Sequence, residues 1–230
     1  MTTLKENIEK VFKNIENAAA SVGRNAEDII MVAATKTIDA ERINEAIRLG
    51  VKHIGENRVQ EFCDKYEDIK EDAVHHFIGH LQTNKVKYLV PKISLIHSVE
   101  SEKLLDEIDR LSKKYNTVSQ VLLEINASGE ETKFGIGFDE AEEIIKNNEK
   151  RENCLIKGLM TIGPNVKDEI AVRDSFKKMK NLFDELSLKQ FEKAELKDLS
   201  MGMSGDYEIA IEEGSNIVRV GRAIFGERIY

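Results

Sequence analysis

The stretch IIMVAATKTID, residues 29–39, decides the fold because the chain after it repeats its order of strand, turn and helix. Its apolar half predicts a buried β-strand, with small residues around Val32 that leave little room for a solvated side chain. Lys36 follows where the strand gives way to a polar turn. From its position alone, this lysine is either a reactive amine or a structural partner of a carboxylate.

Short apolar strands alternate with amphipathic helices along the rest of the sequence. Asp39 and Asp139 are candidate N-caps for two of these helices, and Thr83 begins another. An additional helix precedes the first strand, with a capping box formed by Thr3 and Glu6. The predicted strands after the first are Val51–Ile54, His75–Ile78, Ile93–His97, Val118–Ile125, Cys154–Met160, Leu196–Met201 and Ile217–Val220.

Strands and helices that alternate in this way predict parallel strands joined by right-handed crossovers, and a sheet of eight such strands can close into a barrel. We therefore expect an α/β fold, a single (β/α)8 TIM barrel with an extra N-terminal helix, in one domain that spans residues 1–230. The alternative is an open doubly wound sheet. It is less favoured because ATKTIDAE, and not a G-x-G-x-x-G turn, follows the first strand.

Composition narrows the classes of function. A net charge of -8 argues against general nucleic-acid binding, and Lys85, Lys87 and Lys92 are expected to form a solvated helix face. The sequence has neither a stretch of about 20 apolar residues for a membrane helix nor the pattern of a secretory signal. Cys63 and Cys154 are expected to be buried free thiols, as is usual in the cytosol.

In a barrel of this kind, functional residues lie where the strands pass into the following loops. Two of these loops are rich in glycine, SMGMSGD at residues 200–206 and VRVGRAIFG at residues 218–226. Phosphate groups commonly bind at these loops of such barrels. The polar junctions contain Lys36, Glu56, Asn57, Arg58, His80, Ser98, Asn126, Thr161, Met201–Ser204, Arg219, Gly221 and Arg222.

Ser204 with Gly205 is expected to start a helix and to offer a hydroxyl and backbone amides to an anion. Gly221 lets the backbone approach that anion, and Arg222 adds positive charge. Ser204 could equally be an ordinary N-cap. A lysine in the apolar mouth of the barrel loses part of its preference for the ammonium form, and its neutral amine can attack a carbonyl.

Six ordered segments resemble those of the YggS/PROSC pyridoxal phosphate homeostasis proteins, which look like the barrel domain of bacterial alanine racemase standing alone. The resemblance covers nearly the whole chain. The segments are VAATKT around Lys36, HIGENRVQE from His53, HFIGHLQTNK from His76, TKFGI from Thr132, LSMGMSGD from Leu199 and VRVGRAIFG from Val218.

The resemblance implies that Lys36 holds pyridoxal 5'-phosphate as a Schiff base, with Ser204, Gly221 and Arg222 around the phosphate. Arg219 then faces the pyridine nitrogen and, as a permanent cation, keeps it unprotonated, so the ring supports carbanion chemistry poorly. The implied cofactor-binding residues are Lys36, Asn57, His80, Met203, Ser204, Arg219, Gly221 and Arg222.

Several roles stay open. His80 is either an acid or base or a hydrogen-bonding structural residue, and a metal site with His76 is not expected. Glu56 and Arg58 are candidates for ion pairs at the rim. Lys133, in the loop SGEETKFGIG, is either a second amine near the cofactor or a solvated lysine.

Three functions compete. The first is a cytoplasmic carrier that supplies pyridoxal phosphate to apoenzymes, and we expect it to be monomeric and without robust catalysis. The second is an amino-acid racemase of low activity. The related racemase takes a catalytic tyrosine from a second domain, and none is expected beyond Tyr230. The third is an aldolase that uses Lys36 on a sugar phosphate and needs no pyridoxal.

Overall fold

The computed structural model describes residues 3–127, 134–164, 166 and 168–226. Eight parallel strands form a closed barrel in chain order, because the last strand pairs with the first. The predicted (β/α)8 barrel is therefore confirmed, and the open doubly wound sheet is wrong. The strands are β1 (Ile30–Ala34), β2 (His53–Glu56), β3 (Val74–Phe77), β4 (Leu95–Val99), β5 (Ser119–Glu124), β6 (Cys154–Met160), β7 (Ala194–Met203) and β8 (Ile217–Val220).

Helices surround the barrel, with one additional helix before β1, as predicted. Short 3₁₀ helices also occur in the described part of the chain, at Ala26–Asp28, Thr83–Tyr88 and Asn148–Lys150. The α-helices are α1 (Leu4–Ser21), α2 (Ala40–Arg48), α3 (Val59–Tyr66), α4 (Glu102–Lys114), α5 (Ala141–Asn147), α6 (Glu169–Ser187), α7 (Tyr207–Glu212) and α8 (Arg222–Phe225).

The start of α1 confirms its predicted capping box. The Thr3 hydroxyl accepts the backbone N–H of Glu6 at 3.2 Å, and the Glu6 carboxylate accepts the N–H of Thr3 at 2.8 Å. Asp39 caps α2 in the predicted way, since its carboxylate accepts the N–H of Arg42 at 2.8 Å. Such caps satisfy backbone donors that would otherwise have no partner at the start of a helix.

Asp139 does not cap α5, so that prediction is wrong. The residue before the helix is Glu140, and its side chain makes no capping hydrogen bond. Its carboxylate instead accepts the N–H of Gly137 at 2.9 Å, within the turn that leads into the helix. The chain therefore bends once more before α5 begins, which places Asp139 in the turn.

Five of the seven strands with predicted bounds shift at their ends by one or two residues, whereas β6 and β8 match their predicted bounds. β2 begins at His53 and not at Val51, because the N–H of Val51 donates to Ala46 O at 3.1 Å and closes the end of α2. The helix predicted from Thr83 is a 3₁₀ helix that ends at Tyr88. Lys85 and Lys87 lie on it, each with its ammonium group within 6 Å of the Tyr88 ring centre.

The two cysteines differ in exposure because they lie on different faces of their elements. Cys154 begins β6 and is buried, whereas Cys63 is exposed, and both are free thiols. The prediction that Cys63 is buried is wrong because the neighbouring Phe62 occupies the inner face of α3. Among the helices that the structure describes, none combines the length and the apolar character that crossing a membrane requires.

The extra helix α1 closes the outside of the barrel where its first and last strands meet. Asn7 donates to Ile224 O at 3.0 Å, and Arg24 donates to Ile211 O at 2.9 Å and to Ser215 O at 2.8 Å. The apolar face of α1 belongs to the same buried cluster as β1, β8, α7 and α8. This packing holds the β1–β8 seam, where two of the candidate site segments lie side by side.

The interior of the barrel is partly polar, although branched aliphatic side chains usually fill such interiors. Val32, Leu95 and Ile217 belong to the aliphatic cluster that remains there. His76 and His97 are buried in the same interior, and burial lowers the pKa of His76 to about 3. The pKa of His97 is also lowered well below its usual value by complete burial. Both imidazoles are therefore neutral at physiological pH.

We expect these two histidines to make the protein sensitive to acid. The unfolded chain takes up protons below pH 6.5, whereas His76 stays neutral in the folded protein until about pH 3. The stabilising contribution is therefore complete above pH 6.5 and is lost as the pH falls, at roughly 1.4 kcal/mol per pH unit. Glu124 acts in the opposite direction, because burial raises its pKa to about 7.

Comparison of the wild type with a His76 variant isolates the contribution of this histidine to the pH dependence of stability. Urea unfolding of the wild type and of His76→Gln, at about pH 6.5 and about pH 5, should give a smaller acid-induced loss of stability in the variant by roughly 1.6 kcal/mol. The variant will be less stable at both pH values, but the decisive quantity is the change in its free energy of unfolding between the two pH values. Equal changes in the two proteins would show that His76 does not remain neutral in the folded barrel.

Candidate functional site

The turn that carries Lys36 begins directly after β1 and has a strained backbone. Thr37 adopts a left-handed conformation with φ of 67°, which side chains branched at Cβ rarely adopt. Its N–H donates to the Glu61 carboxylate at 2.7 Å. The Lys65 ammonium group donates to Thr35 O at 3.1 Å and to Glu61 at 3.1 Å. Helix α3 thus holds the turn from both sides of Lys36.

Glu56, the last residue of β2, completes this support. Its carboxylate accepts from Lys65 at 2.9 Å and from the Thr35 hydroxyl at 2.8 Å. Burial raises the pKa of Glu56, and the Lys65 charge partly opposes that effect. Arg58 lies 3.8 Å from Glu61 and is largely exposed. Both rim residues therefore form ion pairs, Glu56 beneath the Lys36 turn and Arg58 on the outside.

Asn57 presents a buried acceptor without a partner. Its Oδ1 atom makes no hydrogen bond to any described residue. Gly79 packs directly against the Asn57 backbone, since a Cβ atom at Gly79 would lie 2.2 Å from Asn57 O. The Ser98 hydroxyl donates to Gly79 O from β4. Only a glycine allows this close approach, which fixes Asn57 at the mouth of the barrel.

His80 lies in the loop after β3, beyond the end of the strand at Phe77, so it does not share a strand face with His76. Its Nδ1 atom is 3.4 Å from the Glu100 carboxylate, and its ring stacks on Phe134 with 4.2 Å between ring centres. The structure thus gives His80 two neighbours of its own at the rim. Lys133, which precedes Phe134, lies outside the described residues.

Ser204 connects the two glycine-rich loops. Its Oγ atom accepts the N–H of Gly221 at 3.0 Å and the N–H of Ala223 at 3.4 Å. The prediction that Ser204 starts a helix is therefore wrong, and Ser204 is not an N-cap either. α7 begins at Tyr207 with Asp206 before it, because the Asp206 carboxylate accepts the N–H of Met203 at 2.5 Å and tightens the turn.

The backbone beside Ser204 is open at Gly205 and closely packed at Gly221. A Cβ atom at Gly205 would meet nothing within 4 Å, whereas one at Gly221 would lie 3.3 Å from Ala34. Gly221 therefore presses against the end of β1, two residues before Lys36. Arg222 is exposed at the start of α8, and Met203 is 39% exposed at the end of β7.

Arg219 is buried in β8, where its backbone pairs with both Val32 and Met203. Its Nη1 group donates to Ser200 O at 3.0 Å and to Ser200 Oγ at 2.6 Å. Its Nη2 group donates to Thr161 O at 2.8 Å. The Nε–H group and one Nη2–H group have no acceptor among the described residues. They are available to a ligand that accepts a hydrogen bond.

Two carboxylates balance the buried charge of Arg219. Burial lowers the pKa of Arg219 to about 10, and Glu124 and Asp206 oppose that shift. Burial also raises the pKa of Glu124 to about 7, with Glu100 adding to the shift, and raises the pKa of Asp206. Arg219 is thus a cation at neutral pH, beside a carboxyl group that titrates there.

The remaining junction residues stabilise the strand ends. The Thr161 hydroxyl donates to Ile125 O at 2.8 Å, and the N–H of Asn126 donates to Ile136 O at 3.0 Å. Residues Lys36, Arg219 and Gly221 come together because β1 pairs with β8. Asn57 and His80 lie on the loops that follow β2 and β3, and Ser98 lies near the end of β4.

Sequence reasoning missed Lys65, Ser200 and Glu124. Lys65 lies four residues after Glu61, a spacing typical of ion pairs on a helix, so this ion pair could have been predicted from the sequence. Ser200 and Glu124 lie inside apolar strands, at positions that alternate with core residues. That alternation indicates the inward face, but only the closed barrel shows that both face Arg219.

The chain matches proteins of known family over nearly its whole length. The family described as alanine racemase, N-terminal domain, matches residues 7–229. The pyridoxal phosphate homeostasis protein of Aquifex aeolicus is 45% identical over 226 residues, which is 98% of each chain.

Solved structures agree in fold. A protein of Bifidobacterium adolescentis, called unknown, superposes with a TM-score of 0.92 at 37% identity, over 96% of this chain and 94% of that one. PipY of Synechococcus elongatus, solved with PLP bound, has a TM-score of 0.81 at 29% identity, over 92% of this chain and 100% of that one. The present chain therefore belongs to the alanine racemase N-terminal domain family, in its group of pyridoxal phosphate homeostasis proteins.

Proposed function

We propose that this protein binds pyridoxal 5'-phosphate through a Schiff base on Lys36 and maintains the intracellular supply of this cofactor by passing it to apoenzymes. The names of the relatives and the PLP-bound PipY structure support the cofactor. When bound, pyridoxal phosphate supplies an aldehyde that condenses with an amine and a ring that can delocalise electrons. The residues of this chain decide how far that chemistry can proceed.

Arg219 carries the proposal. Two of its N–H groups have no partner in the described residues, so they fit an acceptor such as an unprotonated pyridine nitrogen. A guanidinium group with a pKa of about 10 does not give up its proton at neutral pH. It therefore holds the ring nitrogen without protonating it, which favours storage of the cofactor over carbanion chemistry.

The phosphate group fits the loops after β7 and β8. Because Ser204 Oγ already accepts two backbone N–H groups, its own hydroxyl hydrogen is directed away from them and can donate to an anion. The N–H of Arg222 has no acceptor among the described residues, and its side chain adds a positive charge. The Gly221 N–H already donates to Ser204 Oγ, so Gly221 leaves room for the phosphate but offers it no hydrogen-bond donor.

The loops after β2 and β3 and the end of β7 supply the remaining contacts of the proposal. Asn57, with its unpartnered Oδ1 atom, and His80, beside Glu100, face the same mouth as Lys36. Met203 offers an exposed apolar side chain beside Arg219. Transfer to apoenzymes, a monomeric state, a single domain over residues 1–230 and a cytoplasmic location stay predictions from the sequence.

Lys36→Ala should abolish covalent attachment. Wild-type protein loaded with pyridoxal phosphate should absorb visible light and, after borohydride reduction, carry the reduced cofactor on the peptide that contains Lys36. The variant should show neither signal. Lys10→Ala, which removes an exposed lysine of α1, is the matched control and should behave as the wild type. An unchanged adduct in Lys36→Ala would place the attachment elsewhere, and a colourless wild type would favour the aldolase.

A Ser204→Ala, Arg222→Ala double variant should bind pyridoxal phosphate at least about tenfold more weakly, since it loses one neutral and one charged donor to the phosphate. Equilibrium titration followed by absorbance measures the change. Pyridoxal, which lacks the phosphate, should bind equally to both proteins. Far-ultraviolet circular dichroism checks that the fold is kept. Unchanged affinity for the phosphorylated form would remove these residues from the phosphate site.

A racemase of low activity is the second candidate, because Glu124 offers a buried carboxyl group with a pKa of about 7 beside Arg219. Such a group can accept a proton near neutral pH. Incubation of the loaded protein with L-amino acids in deuterated solvent tests this function through deuterium at the α-carbon. We expect exchange no faster than with pyridoxal phosphate alone, and rapid exchange that Glu124→Gln abolishes would establish the racemase.

A further inference from the structure

A line of hydrogen-bonded histidines crosses the barrel interior and ends at Arg219. His53 Nδ1 lies 3.0 Å from His76 Nε2, and His76 Nδ1 lies 2.9 Å from His97 Nε2. His97 Nδ1 lies 3.0 Å from Ser200 Oγ, which is the atom that accepts from Arg219. We call these residues, His53, His76, His97 and Ser200, the histidine chain. It joins β2, β3, β4 and β7 to β8.

The positive charge of Arg219 sets the direction of every bond in the histidine chain. A guanidinium group can only donate, so Ser200 Oγ accepts from Arg219 and turns its own hydrogen to His97 Nδ1. In a neutral imidazole one nitrogen accepts and the other donates. His97 therefore donates through Nε2 to His76 Nδ1, and His76 donates through Nε2 to His53 Nδ1.

The opposite direction leaves a buried group without a partner. If His97 donated to Ser200 through Nδ1, the Ser200 hydroxyl would need another acceptor, and the described residues give it none. Ser200 and His97 are both fully buried, so water does not replace that partner. Burial also keeps the two inner imidazoles neutral, so no second cation stands behind Arg219.

We propose that Ser200 and the three histidines are positioning residues, which lock the rotation of the Arg219 side chain so that its remaining N–H groups point to the cofactor ring. This inference rests on the proposed function, because the ring is what Arg219 is held for. This positioning requires that the imidazoles of the histidine chain are neutral and that all its hydrogen bonds run in one direction. Ser200 is the essential residue of this network, since among the described residues it is the one that connects the imidazoles to the guanidinium group.

The lock has a readout in the protein without cofactor. In 15N-labelled wild type near neutral pH, His76 and His97 should each carry their single proton on Nε2. The two Nη groups of Arg219 should give separate signals, because rotation about the Nε–Cζ bond is slow when both are hydrogen-bonded. A proton on Nδ1 of either histidine, or a charged imidazole, would overturn the assigned direction without any variant being required.

Ser200→Ala removes this connection with little change in volume. Both Nη groups of Arg219 keep a backbone acceptor in this variant, so we expect exchange between their signals to become faster than in the wild type. His97 should populate both tautomers, and pyridoxal phosphate should bind about tenfold more weakly. Ser175→Ala is the matched control, because Ser175 is also buried but its hydroxyl makes no hydrogen bond within the described residues. Ser200→Thr keeps the hydroxyl and should restore the slow exchange of the wild-type Nη signals.

The outcomes separate the two proposals. An unchanged exchange rate of the Nη signals and unchanged affinity in Ser200→Ala would show that the histidine chain does not position Arg219. If the wild type shows the expected tautomers and separate Nη signals but binds no pyridoxal phosphate, the proposed function is wrong while the lock itself is established. If binding is normal and the Nη signals are already merged in the wild type, the proposed function stands and the lock is wrong.

Discussion

The pairing of β1 with β8 is the contact on which the site depends. It closes the sheet and sets Val32 opposite Arg219, so that the turn with Lys36 and the loop with Gly221 leave the barrel side by side. These two segments lie far apart in the sequence, and the pairing of the first strand with the last brings them together. An open sheet with the same strands would leave the lysine and the arginine at its two edges, and no common ligand could contact both.

Within the closed barrel, the buried charge of Arg219 imposes the next requirement. A guanidinium group removed from water must have hydrogen-bond acceptors and compensating charge nearby. Ser200 and Thr161 supply the acceptors, and Glu124 and Asp206 supply carboxylates that respond to the same burial. The polar interior follows from this requirement, because each group that contacts Arg219 needs partners of its own.

Much of this could be predicted from local patterns. Eight apolar strands and the caps at Thr3 and Asp39 are properties of neighbouring residues, and the structure confirms them. The errors at Asp139 and Ser204 arose where a polar residue near a helix makes a turn contact, which local propensity does not distinguish from a cap. Ser200 was missed because its partner His97 is 103 residues away and only barrel closure joins them.

The contacts of α1 have a consequence for how the chain reaches this state. Asn7 binds a carbonyl group 217 residues further along, and Asn14 and Arg24 bind α7 and the segment after it at separations of nearly 200 residues. During synthesis on the ribosome, the part of α1 that packs against α7 and α8 must wait for these partners until almost all other elements have been made. Contacts of such long range also slow folding in general. The same helix that holds the seam of the finished barrel is thus exposed to aggregation for most of the synthesis of the chain.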